Sequence, residues 1–116
     1  MATIQFLAAV PVREVETSVP WYERLLGQPA TNRPMEELAE WYPGGDSGLQ
    51  LVADQQRAGS GLLTISVDDI AQFVVDARER GIVIGEISPG EMASVVTVAD
   101  PDGNAVTIAQ PGMAGT

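Results

Sequence analysis

The chain has 116 residues, 45% of them hydrophobic, enough for one compact domain with a real core and too few for two ordinary ones. Its 16 acidic residues against 6 basic ones give a net charge of −10, a surface that repels phosphate backbones and anionic headgroups and so argues against nucleic-acid or membrane binding. No cysteine or histidine occurs and every basic residue is arginine, which excludes disulfides, Ser-His-Asp and Cys-His catalysis, thiolate or imidazole metal sites and Schiff-base lysines.

The opening "MATIQFLAAVPVREVE" lacks the basic flank of a signal peptide, and no run of about 18 apolar residues follows, so a cytoplasmic protein is expected. A strand is predicted over residues 4–12, with Phe6, Ala8, Val10 and Val12 on one face and Gln5, Leu7 and Ala9 on the other. A helix follows. Thr17 or Ser18 can cap it, Pro20 suits its first turn, Val15, Val19, Tyr22 and Leu26 recur at helical spacing, and Gly27 supplies a left-handed stop. "GQPATNRP" is rich in turn residues, and "ELAEWY" and "GLQLVAD" are strands separated by the turn "PGGDSG".

The second half repeats this grammar. "GLLTISV" is a strand with Leu63, Ile65 and Val67 on one face and Leu62, Thr64 and Ser66 on the other. Asp68 or Asp69 caps a helix whose Ile70, Phe73, Val74 and Ala77 form an apolar stripe before Gly81. Strands are predicted at "IVIGEI", "SVVTVAD" and "NAVTIAQ". The last two are joined by a turn in which Pro101 suits the second position, Gly103 closes, and Asp100 can bond backbone N–H groups. "DPDG" also opens like a calcium loop, but no bidentate glutamate follows at the needed spacing, so it reads as a turn.

Leu7 aligns with Leu62, Val12 with Val67, Glu14 with Asp69 and Val19 with Val74 at one constant shift, and Gly27 meets Gly81 after one deletion. The chain therefore divides into two repeats over about 1–56 and 57–116, each a strand, a helix and three strands. A sheet covered by one helix per unit leaves its second face bare, so two units can pair around a shared cavity.

Three stretches carry a resemblance. "VPVREVETSVPWYERLLGQP" resembles the opening of the vicinal oxygen chelate superfamily, with its strand, acidic residue and aromatic-Tyr pair before Leu-Gly. "GLLTISVDDIAQFVVDARERGI" resembles that family's second-half opening, and "VTVADPDGNAVTI" is similar to its Asp-Pro-Asp-Gly-Asn hairpin. The family includes glyoxalase I, extradiol dioxygenases, fosfomycin-resistance transferases and antibiotic-binding proteins of the bleomycin-resistance type. The resemblance implies an α+β fold of two tandem βαβββ modules forming a cup-shaped mixed sheet, commonly completed by dimerisation, so a homodimer is expected.

In the family's metal-using members the ligands come from the first and last strands of each module. Those places fall here on Leu7, Leu62, Gln50 and Thr107: two leucines have no lone pair to give, and glutamine and threonine are weak neutral ligands. No metal or other cofactor is expected. The same positions, with Thr64, Ser66 and one of the adjacent aromatics Trp41 and Tyr42, suit a ligand pocket, leucines giving apolar area and Gln50, Thr64 and Thr107 orienting a polar group. Trp41 is taken as the aromatic that looks into the cup. Trp21 and Tyr22 read as core or interface, and Glu36, Glu37 and Glu40 as a solvated acidic loop or, alternatively, as the edge of a cavity that attracts cations.

The reading favoured is a metal-free, non-catalytic binding protein for an aromatic or cationic small molecule such as an antibiotic. The charge suits a cationic ligand, although solubility alone would account for it. The alternative is a lyase, isomerase or dioxygenase of the same family, which without histidine needs a carboxylate or tyrosine base. A regulatory or structural partner module also stays open.

Overall fold

The computed structural model describes residues 5–44 and 47–112. Its elements run β1 (Phe6–Val12), α1 (Val15–Leu26), β2 (Asn32–Met35), β3 (Leu38–Gly44), β4 (Ser47–Ala53), β5 (Leu62–Ser66), α2 (Ile70–Glu79), β6 (Ala93–Ala99) and β7 (Ala105–Pro111). The fold is α+β, with two separate sheets ordered β1-β4-β3-β2 and β5-β7-β6. In each sheet the first strand pairs in parallel with the last strand of its own half, and the remaining pairings are antiparallel. The internal repeat is visible in the register: Ala9 stands opposite Gln50, and Thr64, its counterpart one repeat later, stands opposite Thr107.

Both helices lie on the same side of the sheets, and one core lies between. Val10, Val12, Ala39, Trp41, Leu49 and Leu51 of the first sheet meet Val15, Val19, Tyr22 and Leu25 of α1 there. Val96, Val98, Val106 and Ile108 of the second sheet, with Ile70, Val74 and Ala77 of α2, complete the same cluster. These are the alternate strand positions and helical stripes that the sequence marks as apolar. At about 1.5–3 kcal/mol for each fully buried large apolar side chain, this face fixes which way every strand turns.

Four details differ from expectation. α1 starts at Val15 with Glu14 as its N-cap and no side-chain cap, so Thr17 and Ser18 lie inside the helix and Pro20 falls beyond its first turn. Burial of Val15 together with Val19 and Tyr22 draws the first turn onto the sheet, which outweighs the missing cap. Asn32–Met35, which begins inside "GQPATNRP", forms β2, an edge strand recruited by β3 although Asn32 and Pro34 are turn-prone. "IVIGEI" forms no strand: Ile82 and Ile84 are buried, Arg78 donates to the carbonyls of Ile84 and Gly85, and a single bridge joins Ser88 to Val95. The described second half is therefore βαββ rather than βαβββ. The expected "PGGDSG" turn includes residues 45 and 46, and the first predicted strand includes residue 4; both expectations lie in part outside the described residues.

The Asp-Pro-Asp-Gly-Asn hairpin ties the halves together. Asp100 Oδ1 accepts the backbone N–H groups of Asp102 and Asn104, both at 2.9 Å. Its Oδ2 accepts Tyr22 Oη from α1 at 2.7 Å and Asn104 Nδ2 at 2.8 Å. Asn104 Oδ1 accepts the N–H groups of Gly59 and Gly61, and its Nδ2 also donates to the Pro11 carbonyl at 2.8 Å. Burial, reinforced by the Asp100 carboxylate, pushes the Tyr22 phenol far above its usual range, so it stays a donor.

Candidate ligand-binding site

β1 and β5 are edge strands of separate sheets, and no ladder joins them. Asn104 pins them near Pro11 and Gly61. Toward the start of β1 the space between them is a cleft of about 420 Å³. Leu7 of β1, Leu26 closing α1, Trp41 of β3, Leu49 of β4 and Leu63 and Thr64 of β5 contribute to its mostly apolar wall. Such a size and lining suit a compact organic molecule.

Gly48 also borders the cleft. A Cβ there would lie 2.2 Å from Leu7 Cδ2 and 2.9 Å from Tyr42 Cε1, so only glycine lets these two side chains close over β4. The Tyr42 ring thus lies on the sheet face away from the helices, beside the cleft. Trp41 takes the opposite face: it is fully buried, packs 6.2 Å from Tyr22 between ring centroids, and its Nε1 donates to the Gln28 carbonyl at 3.1 Å. This reverses the expected assignment of the two aromatics. The indole is the larger apolar surface and finds a backbone acceptor inside, whereas the phenol finds its acceptor on the open face. Trp41 still reaches the cleft, from the helix side.

That acceptor is Glu40. The pairings set Ala9, Gln50, Glu40 and Asn32 in a row across the first sheet. Glu40 is 8% exposed; its Oε2 accepts Gln50 Nε2 at 2.7 Å and its Oε1 accepts Tyr42 Oη at 2.9 Å. The Gln50 amide is the main reason its carboxyl lies below the ordinary value of 4.5; burial pulls the other way, and Tyr42 and Asn32 add to the lowering. The same bond pushes the Tyr42 phenol upward. Among the described residues the arginine–carboxylate pairs are Arg13–Asp102, Arg33–Glu16, Arg57–Asp54 and Arg78–Glu86, so neutral donors alone hold this anion.

The corresponding row of the second sheet is Thr64, Thr107 and Thr97, the last two hydroxyls 3.2 Å apart. Of the residues singled out by sequence, Leu7, Trp41 and Thr64 line the cleft, while Gln50, Leu62, Ser66 and Thr107 stand on the open faces beside it. Glu40, Tyr42 and Gly48 were missed as a group. Strand alternation in "LAEWY" carries the signal, since buried Ala39 and Trp41 on one face leave Glu40 and Tyr42 on the other; grouping Glu40 with the exposed Glu36 and Glu37 conceals it.

The family model of the Glyoxalase/Bleomycin resistance protein/Dioxygenase superfamily matches residues 4–108. The chain belongs to this superfamily. A glyoxalase/bleomycin resistance protein from Catenulispora acidiphila is similar to it at 28% identity, with a TM-score of 0.86 over 93% of this chain and 98% of that one. An antibiotic-binding protein from Streptomyces sp. CB03234 shares the fold at 24% identity and a TM-score of 0.76, over 97% of this chain and 98% of its own. A bleomycin-binding protein solved with bleomycin shares it at 23% identity and 0.77, over 93% and 98%. Among curated proteins, none matches the sequence significantly.

The superfamily's metal-using members raise the question of whether an ion fits here. At the four places concerned, Leu7 and Leu62 offer no donor, the Gln50 amide nitrogen is committed to Glu40, and the Thr107 hydroxyl is shared with Thr97. Among the described residues no three His, Cys, Asp or Glu side chains converge as a metal site. The residues at these places do not fit a divalent ion. No helix among the described residues is long and apolar enough to cross a membrane.

Proposed function

We propose that this chain is a binding protein of the bleomycin-resistance type, holding an aromatic or cationic small molecule without transforming it. The observation that carries the reading is the β1–β5 cleft, a mostly apolar slot of about 420 Å³ walled by residues of both sheets and the end of α1. Membership of the superfamily and the antibiotic-binding neighbours of the same fold support it. An enzymatic reading needs a base near the cleft. Glu40 is engaged at both oxygens and held below its ordinary value, and Tyr42 is pushed up, so both suit hydrogen bonding better than proton abstraction.

The exposed apolar side chains Phe6 and Leu62, at 84% and 86%, support the expectation of a homodimer, which sedimentation tests directly. The site itself is tested by tryptophan emission in a Trp21→Phe background, which leaves Trp41 in the cleft wall as the reporter. Titration with planar basic compounds, bleomycin among them, is expected to shift its emission saturably, and Leu63→Trp is expected to block the response by filling the slot. Binding that persists unchanged in the folded Leu63→Trp variant would place the site elsewhere.

A further inference from the structure

Among the described residues, hydrogen bonds between the two halves occur in two places. One is the hairpin, where Asp102, Asp100 and Asn104 meet Arg13, Tyr22 and Pro11. The other is Arg80, the C-cap of α2. Its guanidinium reaches across to the end of α1, where Nε donates to the Arg24 carbonyl and Nη2 to the Leu25 carbonyl at 3.1 Å. These carbonyls belong to the last turn, which a helix leaves without internal partners, and a cation there also suits the helix dipole. Gly27 accommodates the contact: a Cβ at that position would stand 3.0 Å from Arg80 Cζ.

The end of α1 is also part of the cleft. Leu26 lines it, and just beyond, the Gln28 carbonyl accepts the Trp41 indole N–H and so holds that ring in the cleft wall. The first half thus contributes Leu26 and Trp41 and the second Leu63 and Ile65, with no ladder between β1 and β5 to set their separation. Apolar packing is non-directional and tolerates sliding, whereas a planar guanidinium bonded to two carbonyls has one geometry. The residue before the stop glycine is Leu26 in one half and Arg80 in the other, so the repeat places a wall residue at one helix end and its tie at the other.

We infer that Arg80 is a positioning residue for the ligand: it fixes the separation of the halves at the cleft, and so makes the cleft select flat apolar bodies over globular ones. This rests on the reading of the cleft as a ligand site. The indole, held at Nε1, presents a fixed planar surface along which a ring system can lie. Rejection of a thicker body requires that the walls from the other half stay in place, and Arg80 supplies that restraint.

The test uses two probes of equal charge and different shape, 2-(aminomethyl)naphthalene and 1-(aminomethyl)adamantane, with affinities measured by calorimetry. Wild-type protein is expected to bind the flat amine about tenfold more tightly, and Arg80→Met to bind the two within about twofold of each other. Arg80→Lys keeps the charge but offers a point donor that cannot span both carbonyls, and its preference is expected to fall between these. Asp69→Ala removes the N-cap at the opposite end of α2; it is expected to lower stability and keep the wild-type preference, which separates positioning from stability. In wild-type protein itself, hydrogen exchange of the Arg80 Nε–H is expected to quicken when the adamantyl amine saturates the cleft and not with the naphthyl amine, a readout that needs no variant. Equal binding of the two amines by wild-type protein, a preference that survives Arg80→Met or is lost equally in Asp69→Ala, or exchange unmoved by either amine overturns the role of Arg80 and leaves the cleft reading standing. Failure of both probes to bind wild-type protein overturns the cleft reading and this inference with it.

Discussion

Asp100 and Glu40 are both buried carboxylates, 4% and 8% exposed, and neither is within ion-pair distance of an arginine among the described residues. Around Asp100 every donor belongs to the scaffold: two backbone N–H groups of its own turn, the Tyr22 phenol of the other half and the Asn104 amide. Around Glu40 the donors are side chains standing on the open sheet face beside a cleft. The first arrangement closes the molecule upon itself. The second holds a charge on the sheet face turned away from the helices, where its donors Gln50 and Tyr42 also stand.

The contrast is broken most severely at the hairpin. Asn104→Ala removes hydrogen bonds to Gly59, Gly61, Pro11 and Asp100 at once and leaves buried partners unsatisfied, so a loss of about 3 kcal/mol or more is expected, seen as a melting temperature lower by over about 10 °C. Tyr22→Phe removes only one donor to Asp100, and a chemical denaturation series should show a loss of about 1–2 kcal/mol.

Changes at the open face act on titration more than on folding. Gln50→Leu deletes the strongest of the donors to Glu40, and carbon-detected NMR titration should find its carboxyl moved upward. Because Glu40 is held below its unfolded value of 4.5, its contribution to stability is complete above that pH and disappears as pH falls through the lower folded-state value. Glu40→Gln cannot lose a charge in this window. The fall in melting temperature between pH 7 and the acid side of 4.5 should therefore be smaller in the variant than in wild type. A variant whose acid limb superimposes on that of wild type would mean that the array contributes nothing to folding.

Much of the fold follows from short-range pattern. Period-two apolar residues give β1, β5 and β7, the Ile70, Val74 and Ala77 stripe gives α2, Asp69 caps it through Gln72 N–H at 3.1 Å, and Gly27 ends α1 at φ 75°. The repeat and the hairpin carried the family. Long-range competition decided the rest: β3 drew Asn32–Met35, with its turn-prone Asn32 and Pro34, into β2, while in "IVIGEI", a good strand by composition, the Ile84 and Gly85 carbonyls are taken by Arg78 of α2 instead of a ladder.

The candidate site divides in the same way. The sequence alone determined which residues stand at the family's ligand places and that four of them make a poor metal shell, because donor chemistry belongs to the side chain and not to its position. It also determined that Trp41 and Tyr42 face opposite sides. Only the tertiary structure decided which faces inward, since burial of one aromatic depends on where α1 packs and on the Gln28 carbonyl waiting for its indole. The same holds for Glu40. Its charge is written in the sequence, but its isolation from every arginine among the described residues and its alignment with Gln50 and Tyr42 arise from strand register, which couples residues that the chain keeps apart.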